Sequence, residues 1–157
     1  MLNLSQTTAV IQSIPWFLDL SHESIARLAA IAEMVSLEPG VPIFHEGDQH
    51  PYLYLIFEGK VRLESFVPGR GSLPFSIAEA FDVVGWSSIT PVVRQMTCTA
   101  IVESSSKMLK FSAQSLMACC ESDCCLGFVI MRRLANIVAT RLLTHRLQLL
   151  EIISCHK

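Results

Sequence analysis

The spacing of apolar residues changes twice along the chain. In SHESIARLAAIAEM, apolar residues recur at intervals of three and four, which predicts an amphipathic helix capped by the Ser21 hydroxyl. From about residue 35 to 111, short β-rich runs alternate with turn residues such as EPG, EGDQH and VPGRG. Within that region, YLYLIFEGKVRLESF predicts two strands joined by a tight turn at Glu58 and Gly59. The helical period returns over about 112–153.

The C-terminal part of the chain predicts a long helix with a coiled-coil seam. Seam positions alternate steps of four and three, and they comprise Met131, Ala135, Val138, Leu142, His145, Leu149 and Ile152. A second apolar set widens the surface and comprises Leu134, Ile137, Leu143, Leu147 and Leu150. One flank has to pack on the helix's own domain, and the simplest partner for the other is the same helix of a second copy. We therefore expect a homodimer through this helix, weakened when His145 is protonated.

Length and charge favour one globular unit spanning residues 1–157. The 157 residues are half apolar and 17% charged, which suits a single core, and the short strands suggest a sandwich or barrel of about eight strands. A net charge of −2 gives no electrostatic reason to bind nucleic acid. Arg132, Arg133, Arg141 and Arg146 are spaced through one helical pattern, so we expect them on a solvated helix face.

The N-terminal segment does not have the pattern of a membrane span or a secretory signal. Residues 1–18 contain several polar residues and Pro15, and no Lys or Arg precedes Arg27. We expect no membrane association, a cytoplasmic bacterial protein, and reduced cysteines.

Four of the six cysteines lie in the stretch CCESDCC. On one continuous helix, Cys120 and Cys124 would be one turn apart and could share a soft metal ion or form a redox pair. The spacing matches none of the usual zinc patterns, and free cysteine also packs well as a small apolar residue. Packing is the favoured interpretation, so we expect no bound metal and no cofactor.

The stretch PGVPIFHEGDQHPYLYLIFEGKVRL resembles the opening of a cyclic nucleotide-binding domain. The matching features are Pro39-Gly40, Ile43-Phe44, Glu46-Gly47-Asp48 and Gly59 before a Lys-Val-Arg strand, and the resemblance extends over about residues 14–153. It implies a mainly β fold: a double-stranded β-helix (jelly-roll or cupin-like) barrel over about 35–111, with N-terminal helices and C-terminal helices over about 112–153.

The resemblance also gives the stretch FDVVGWSSITPVVRQ a role. In the family this region is a phosphate-binding cassette, in which helix-start amides and an arginine hold the cyclic phosphate. Gly85 matches the cassette glycine, Ser87 and Ser88 its short helix, and Arg94 the phosphate arginine. Gln95 takes a position where a small hydroxyl residue or alanine is usual.

One residue of the cassette departs from the pattern of the members that bind cyclic AMP. A glutamate that accepts a hydrogen bond from the ribose follows the cassette glycine in those members, whereas Trp86 follows it here. Tryptophan is a larger side chain and only a donor. We therefore expect the chain to bind cyclic AMP only weakly and to bind another small anionic effector instead. Thr144 matches the helix position that contacts the base in the activator protein, although a lone threonine on a helix is often a surface residue.

Three classes of function are compatible with these residues. The first is a regulatory sensor domain, with a ligand-free dimerisation module as its degenerate form. The second is a transcription factor, but the sequence offers no helix-turn-helix after the long helix and no recognition charge, so direct DNA binding is not expected. The third is a small metal-dependent cupin-type enzyme using His45, Glu46, Asp48 and His50. Their order differs from the cupin pattern, and no nucleophile elbow is present, so we expect no catalysis.

Overall fold

Two long antiparallel strands form the centre of the molecule. In the computed structural model, which describes residues 4–90, 92–93 and 95–154, the strands are β1 (Ala32–Leu37), β2 (Pro42–Phe44), β3 (Tyr52–Val67), β4 (Gly71–Ala78), β5 (Val83–Val84) and β6 (Thr99–Ser112). They form one antiparallel sheet in the order β1-β6-β3-β4, in which β2 also pairs with β6 and β5 with β3. This confirms a mainly β fold with flanking helices. Over the described residues the sheet has six strands and is open, so the predicted closed barrel of about eight strands is not confirmed.

Helices precede and follow the sheet. They are α1 (Leu4–Ser13), a 3₁₀ turn (Pro15–Phe17), α2 (His22–Ile31), a second 3₁₀ turn (Trp86–Ile89), α3 (Ala113–Ser122) and α4 (Cys124–Ser154). The predicted cap of α2 is confirmed, because the Ser21 hydroxyl accepts a hydrogen bond from the backbone N–H of Ser24 at 3.1 Å. None of the helices among the described residues has the length and apolar character needed to cross a membrane.

Both faces of the sheet are covered, which explains the nearly continuous apolar run at the start of β3. Alternate residues point to opposite faces of a strand. Leu53 and Leu55 pack in a cluster with the helices, whereas Tyr54 and Ile56 pack in a second cluster with Val84, Met96 and Met108 of the other face.

The predicted turn at Glu58 and Gly59 is wrong. The two expected strands are one 16-residue strand, β3, and Gly59 lies at an irregularity in its pairing with β6. Gly59 has φ +97°, and a Cβ atom there would lie 2.6 Å from the carbonyl oxygen of Ser105. Glycine is therefore required for close approach of two strands rather than for a chain reversal.

The cysteine cluster does not lie on one continuous helix. Asp123 adopts an extended conformation and separates α3 from α4, so Cys120 and Cys124 lie on different helices. Cys120 is buried, and burial raises the pKa of its thiol to about 11, whereas Cys124 and Cys125 are exposed. Among the described residues, no group of three potential ligands is placed to hold a metal ion.

The long helix α4 has two differently covered halves. Its first half packs on the domain through Leu126, Val129, Ile130 and Leu134. In its second half, seven leucine and isoleucine side chains are between 51% and 69% exposed, namely Leu142, Leu143, Leu147, Leu149, Leu150, Ile152 and Ile153. A contiguous apolar surface of this kind indicates a place for another surface to pack.

Candidate ligand-binding site

Gly85 turns the chain from β5 into the 3₁₀ turn. β5 pairs with β3 through Val84 and Tyr54, which places Gly85 against the start of β3. Gly85 has φ +79°, and a Cβ atom there would lie 2.7 Å from the carbonyl oxygen of Tyr52. A side chain at this position would meet both backbone strain and a backbone clash, so the sequence needs glycine at this turn.

The serines of the 3₁₀ turn are withdrawn from solvent. Ser87 is buried, and its hydroxyl lies 3.4 Å from the sulfur of Met96. The Ser88 hydroxyl is buried without a hydrogen-bond partner among the described residues, and its backbone N–H donates to the carbonyl of Gly85 at 3.0 Å.

The returning part of the predicted cassette is only partly described. Arg94, predicted to hold the phosphate, lies outside the described residues. Gln95 is exposed and borders an open surface depression with Glu46 and Gln49. Met96 is fixed on both sides, because its N–H donates to Asp48 O and its carbonyl accepts from Gly47 N, each at 2.8 Å.

Trp86 separates a nearly filled space from a large cavity. On the side of Gly85, Ser87 and Met96, the space measures only about 10 Å³, which is room for roughly one water molecule. On the side of α4, the cavity measures about 570 Å³ and is open to solvent, because its wall on α4 includes the exposed side chains of Leu142, Leu149 and Ile152. Its lining comprises Leu63, Ser65, Phe75, Trp86, Thr97, Cys98, Val138, Arg141, Leu142, His145, Gln148, Leu149 and Ile152.

Arg141 belongs to this cavity, and its predicted place on a solvated helix face is wrong. The side chain is half-buried, and Nη2 donates to the carbonyl oxygen of Val83 at 2.7 Å. Burial lowers the pKa of the guanidinium from its usual value, and Asp82 acts in the opposite direction. Sequence reasoning missed this residue because a helical charge pattern alone does not show which arginine lies over the open end of a sheet.

Residues 34–123 match the family model described as "Cyclic nucleotide-binding domain". This chain belongs to the cyclic nucleotide-binding domain family. The N-terminal domain of a transcriptional regulator from Streptomyces coelicolor A3(2) is 25% identical to it, with a TM-score of 0.66 over 84% of this chain and 94% of that one.

Two further solved structures share the fold of this cyclic nucleotide-binding domain. A cyclic nucleotide-binding domain from Methylobacillus flagellatus KT is 20% identical, with a TM-score of 0.73 over 88% of this chain and 78% of that one. The catabolite activator protein of Thermus thermophilus is 23% identical, with a TM-score of 0.70. That match covers 89% of this chain and 63% of the Thermus protein.

In this cyclic nucleotide-binding domain, Thr144 borders a groove that shares Arg141 and His145 with the cavity beside Trp86. Thr144 is exposed, and this groove of about 320 Å³ also contacts Trp16, Asp82 and Arg133. Thr144 is not among the described residues that line the cavity beside Trp86. The contact of Thr144 with a base stays a prediction.

The polar residues after β2 have structural partners in this domain. Asp48 accepts a hydrogen bond from the His45 N–H at 2.9 Å, and Glu46 accepts one from the Phe66 N–H at 2.9 Å. His50 is partly buried and packs against the domain. Its ring stacks on Tyr54 with Nε2 3.1 Å from the phenol oxygen, and burial lowers its pKa.

Proposed function

We propose that this chain is a regulatory sensor domain that binds a small anionic effector in the cavity beside Trp86. The observation that supports the proposal best is the cavity of about 570 Å³ between the cassette turn and α4. Ligand pockets of roughly 300–1,000 Å³ with apolar walls and a few polar groups are typical of small-molecule sites. Family membership supplies the regulatory context, since the Streptomyces relative is a domain of a transcriptional regulator.

Cyclic AMP is a poor candidate for the effector. Trp86 offers an indole donor where a ribose hydroxyl would need a carboxylate acceptor, and its ring borders the space that a nucleotide would use. The space on the Gly85 side has no room for a phosphate at about 10 Å³. Loss of a charged hydrogen-bond partner costs about 1.5–3 kcal/mol, which is roughly tenfold to more than a hundredfold in affinity.

The same proposal describes the sensor as a non-catalytic cytoplasmic homodimer without direct DNA binding. The exposed side chains on the second half of α4 that do not line the cavity support pairing with a second copy, namely Leu143, Leu147, Leu150 and Ile153. The backbone contacts of Glu46 and Asp48 support a structural role for the polar residues that a metal-dependent enzyme would need.

A calorimetric comparison of four proteins tests the assignment of Trp86 and Arg94. The wild type should bind cyclic AMP more weakly than 100 μM, and Trp86→Glu should recover at least tenfold because it restores the acceptor. Trp86→Phe is the matched control, since it reduces bulk without adding an acceptor. Arg94→Ala should abolish binding of a cyclic phosphate in the Trp86→Glu background.

Micromolar or tighter binding of cyclic AMP by the wild type would contradict this account of Trp86. A thermal-shift screen of cyclic nucleotides, inorganic phosphate, sulfate and small organic anions then tests the sensor proposal itself. If none of these anions raises the melting temperature, the sensor proposal fails and a ligand-free dimerisation module replaces it.

A further inference from the structure

The cavity beside Trp86 combines an apolar wall with one permanent charge. Most of its described lining residues are aliphatic or aromatic, and Leu63, Phe75, Leu142 and Leu149 are representative. The charged side chain among them at neutral pH is Arg141. In such a space, burial of the ligand's apolar part would provide most of the binding free energy. One cation would contact the ligand at a single point.

Most N–H donors of the Arg141 guanidinium have no hydrogen-bond partner among the described residues. Among the described residues its guanidinium makes one hydrogen bond, to the Val83 carbonyl, although the group carries five N–H donors. It also takes part in none of the ion pairs that join described residues. A guanidinium withdrawn from water without a paired anion is costly, and a bound anion would remove that cost.

Asp82 acts on Arg141 electrostatically but forms no ion pair with it among the described residues, and the side chains that line the cavity carry no anion. Burial raises the pKa of the Cys98 thiol, so Cys98 is neutral at physiological pH even though Arg141 lies close enough to oppose that shift. His145 packs edge-on against Phe75 with ring centroids 4.7 Å apart. The other polar lining residues, Ser65, Thr97 and Gln148, carry no charge.

From these contacts we infer that the effector is a monocarboxylate with an apolar body, held by Arg141. The carboxylate matches the planar fork of a guanidinium, and a single cation balances a single negative charge. The aliphatic or aryl body packs against Leu63, Phe75 and Leu142. This inference rests on the proposed sensor function. It assigns the bound anion to Arg141 on α4 instead of Arg94 in the predicted cassette.

Medium-chain compounds with and without a carboxylate test the charged and the apolar contacts of this ligand separately. Calorimetry with decanoate, decanol and inorganic phosphate should show binding of decanoate, at least tenfold weaker binding of decanol, and none of phosphate. Arg141→Gln should weaken decanoate at least tenfold and leave decanol unchanged, because only the charged contact is lost. Arg146→Gln is the matched control, since Arg146 is exposed on the same helix and does not line the cavity.

Each outcome has a defined meaning. Equal binding of decanoate and decanol by the wild type would overturn the inference without any variant, so a folding defect in Arg141→Gln cannot hide the result. Unchanged decanoate affinity in a folded Arg141→Gln protein would overturn it as well. If decanoate does not bind but phosphate or a cyclic nucleotide binds through Arg94, the inference fails and the sensor proposal stands. If no anion binds, both fail.

Discussion

Gly59 shows how one residue decides whether the two central strands can pair. Its backbone comes so close to β6 that a Cβ atom would contact the hydroxyl of Ser106 as well as the carbonyl of Ser105. In Gly59→Ala this contact adds to the strain of a positive φ. We expect a loss of about 3 kcal/mol or more in the free energy of unfolding.

The control for this prediction is Gly69, in the turn between β3 and β4. Gly69 also has a positive φ, +79°, but a Cβ atom there would meet nothing within 4 Å. Gly69→Ala should therefore cost only about 1–2 kcal/mol, from the backbone conformation alone. Urea denaturation of both variants measures the difference, and equal losses would show that the strand contact at Gly59 relaxes freely.

At the scale of elements, Asp123 connects α2 with the start of α4. Its carboxylate accepts hydrogen bonds from the Ser24 hydroxyl at 2.6 Å and from the Leu126 N–H at 3.1 Å. Asp123→Ala removes both and should lower the free energy of unfolding by about 1–2 kcal/mol, as for other helix caps. Asp123→Asn keeps an acceptor and should lose less.

The same carboxylate predicts an acid dependence. The Ser24 hydroxyl, followed by the Leu126 N–H, lowers the pKa of Asp123 below its usual value. Because the pKa of Asp123 is lower in the folded protein than in the unfolded chain, the carboxylate stabilises the fold at pH values above the unfolded pKa. This contribution is lost as the pH falls through the folded pKa. The stability advantage of wild type over Asp123→Asn should therefore shrink between pH 5 and pH 2. A constant difference across that range would contradict the assignment.

The sequence predicted those elements whose periodicity is local. The cap at Ser21 and the long C-terminal helix follow from spacing within a few turns. The turn at Gly59 was predicted wrongly, because the conformation there depends on neighbours distant in sequence. Those neighbours are Ser105 and Ser106 of β6.

The candidate site was likewise predicted only in part from the sequence. The family pattern located Gly85 and the 3₁₀ turn, whose backbone geometry is local. It did not locate Arg141, because the position of α4 over the sheet depends on packing between segments far apart in the chain.

For the whole molecule, the apolar second half of α4 predicts a dimer. Sedimentation at micromolar concentration and neutral pH should give two chains per particle, because exposed Leu147 and Leu150 would become buried between two copies. Leu147→Asp combined with Leu150→Asp should give monomers, since burying carboxylates opposes association. Neither residue lines the cavity, so ligand binding does not complicate the result.

An exposed leucine outside α4, Leu18, provides a matched control. Leu18 is 69% exposed but follows the first 3₁₀ turn, so Leu18→Asp should leave the dimer intact. A wild-type monomer at neutral pH would contradict the pairing of α4.

The pairing of β3 with β6 also determines when this protein can fold. Glu64 pairs with Thr99 and Tyr52 with Ser112, so partners lie between 35 and 60 positions apart along the chain. Such distant pairing carries a loop-closure cost that slows the search for the native state. During synthesis, β3 emerges long before its partner and presents an apolar edge that invites association with other chains. The turn that carries Gly85 lies inside the unclosed loop, so the candidate site becomes complete only after β6 has been made.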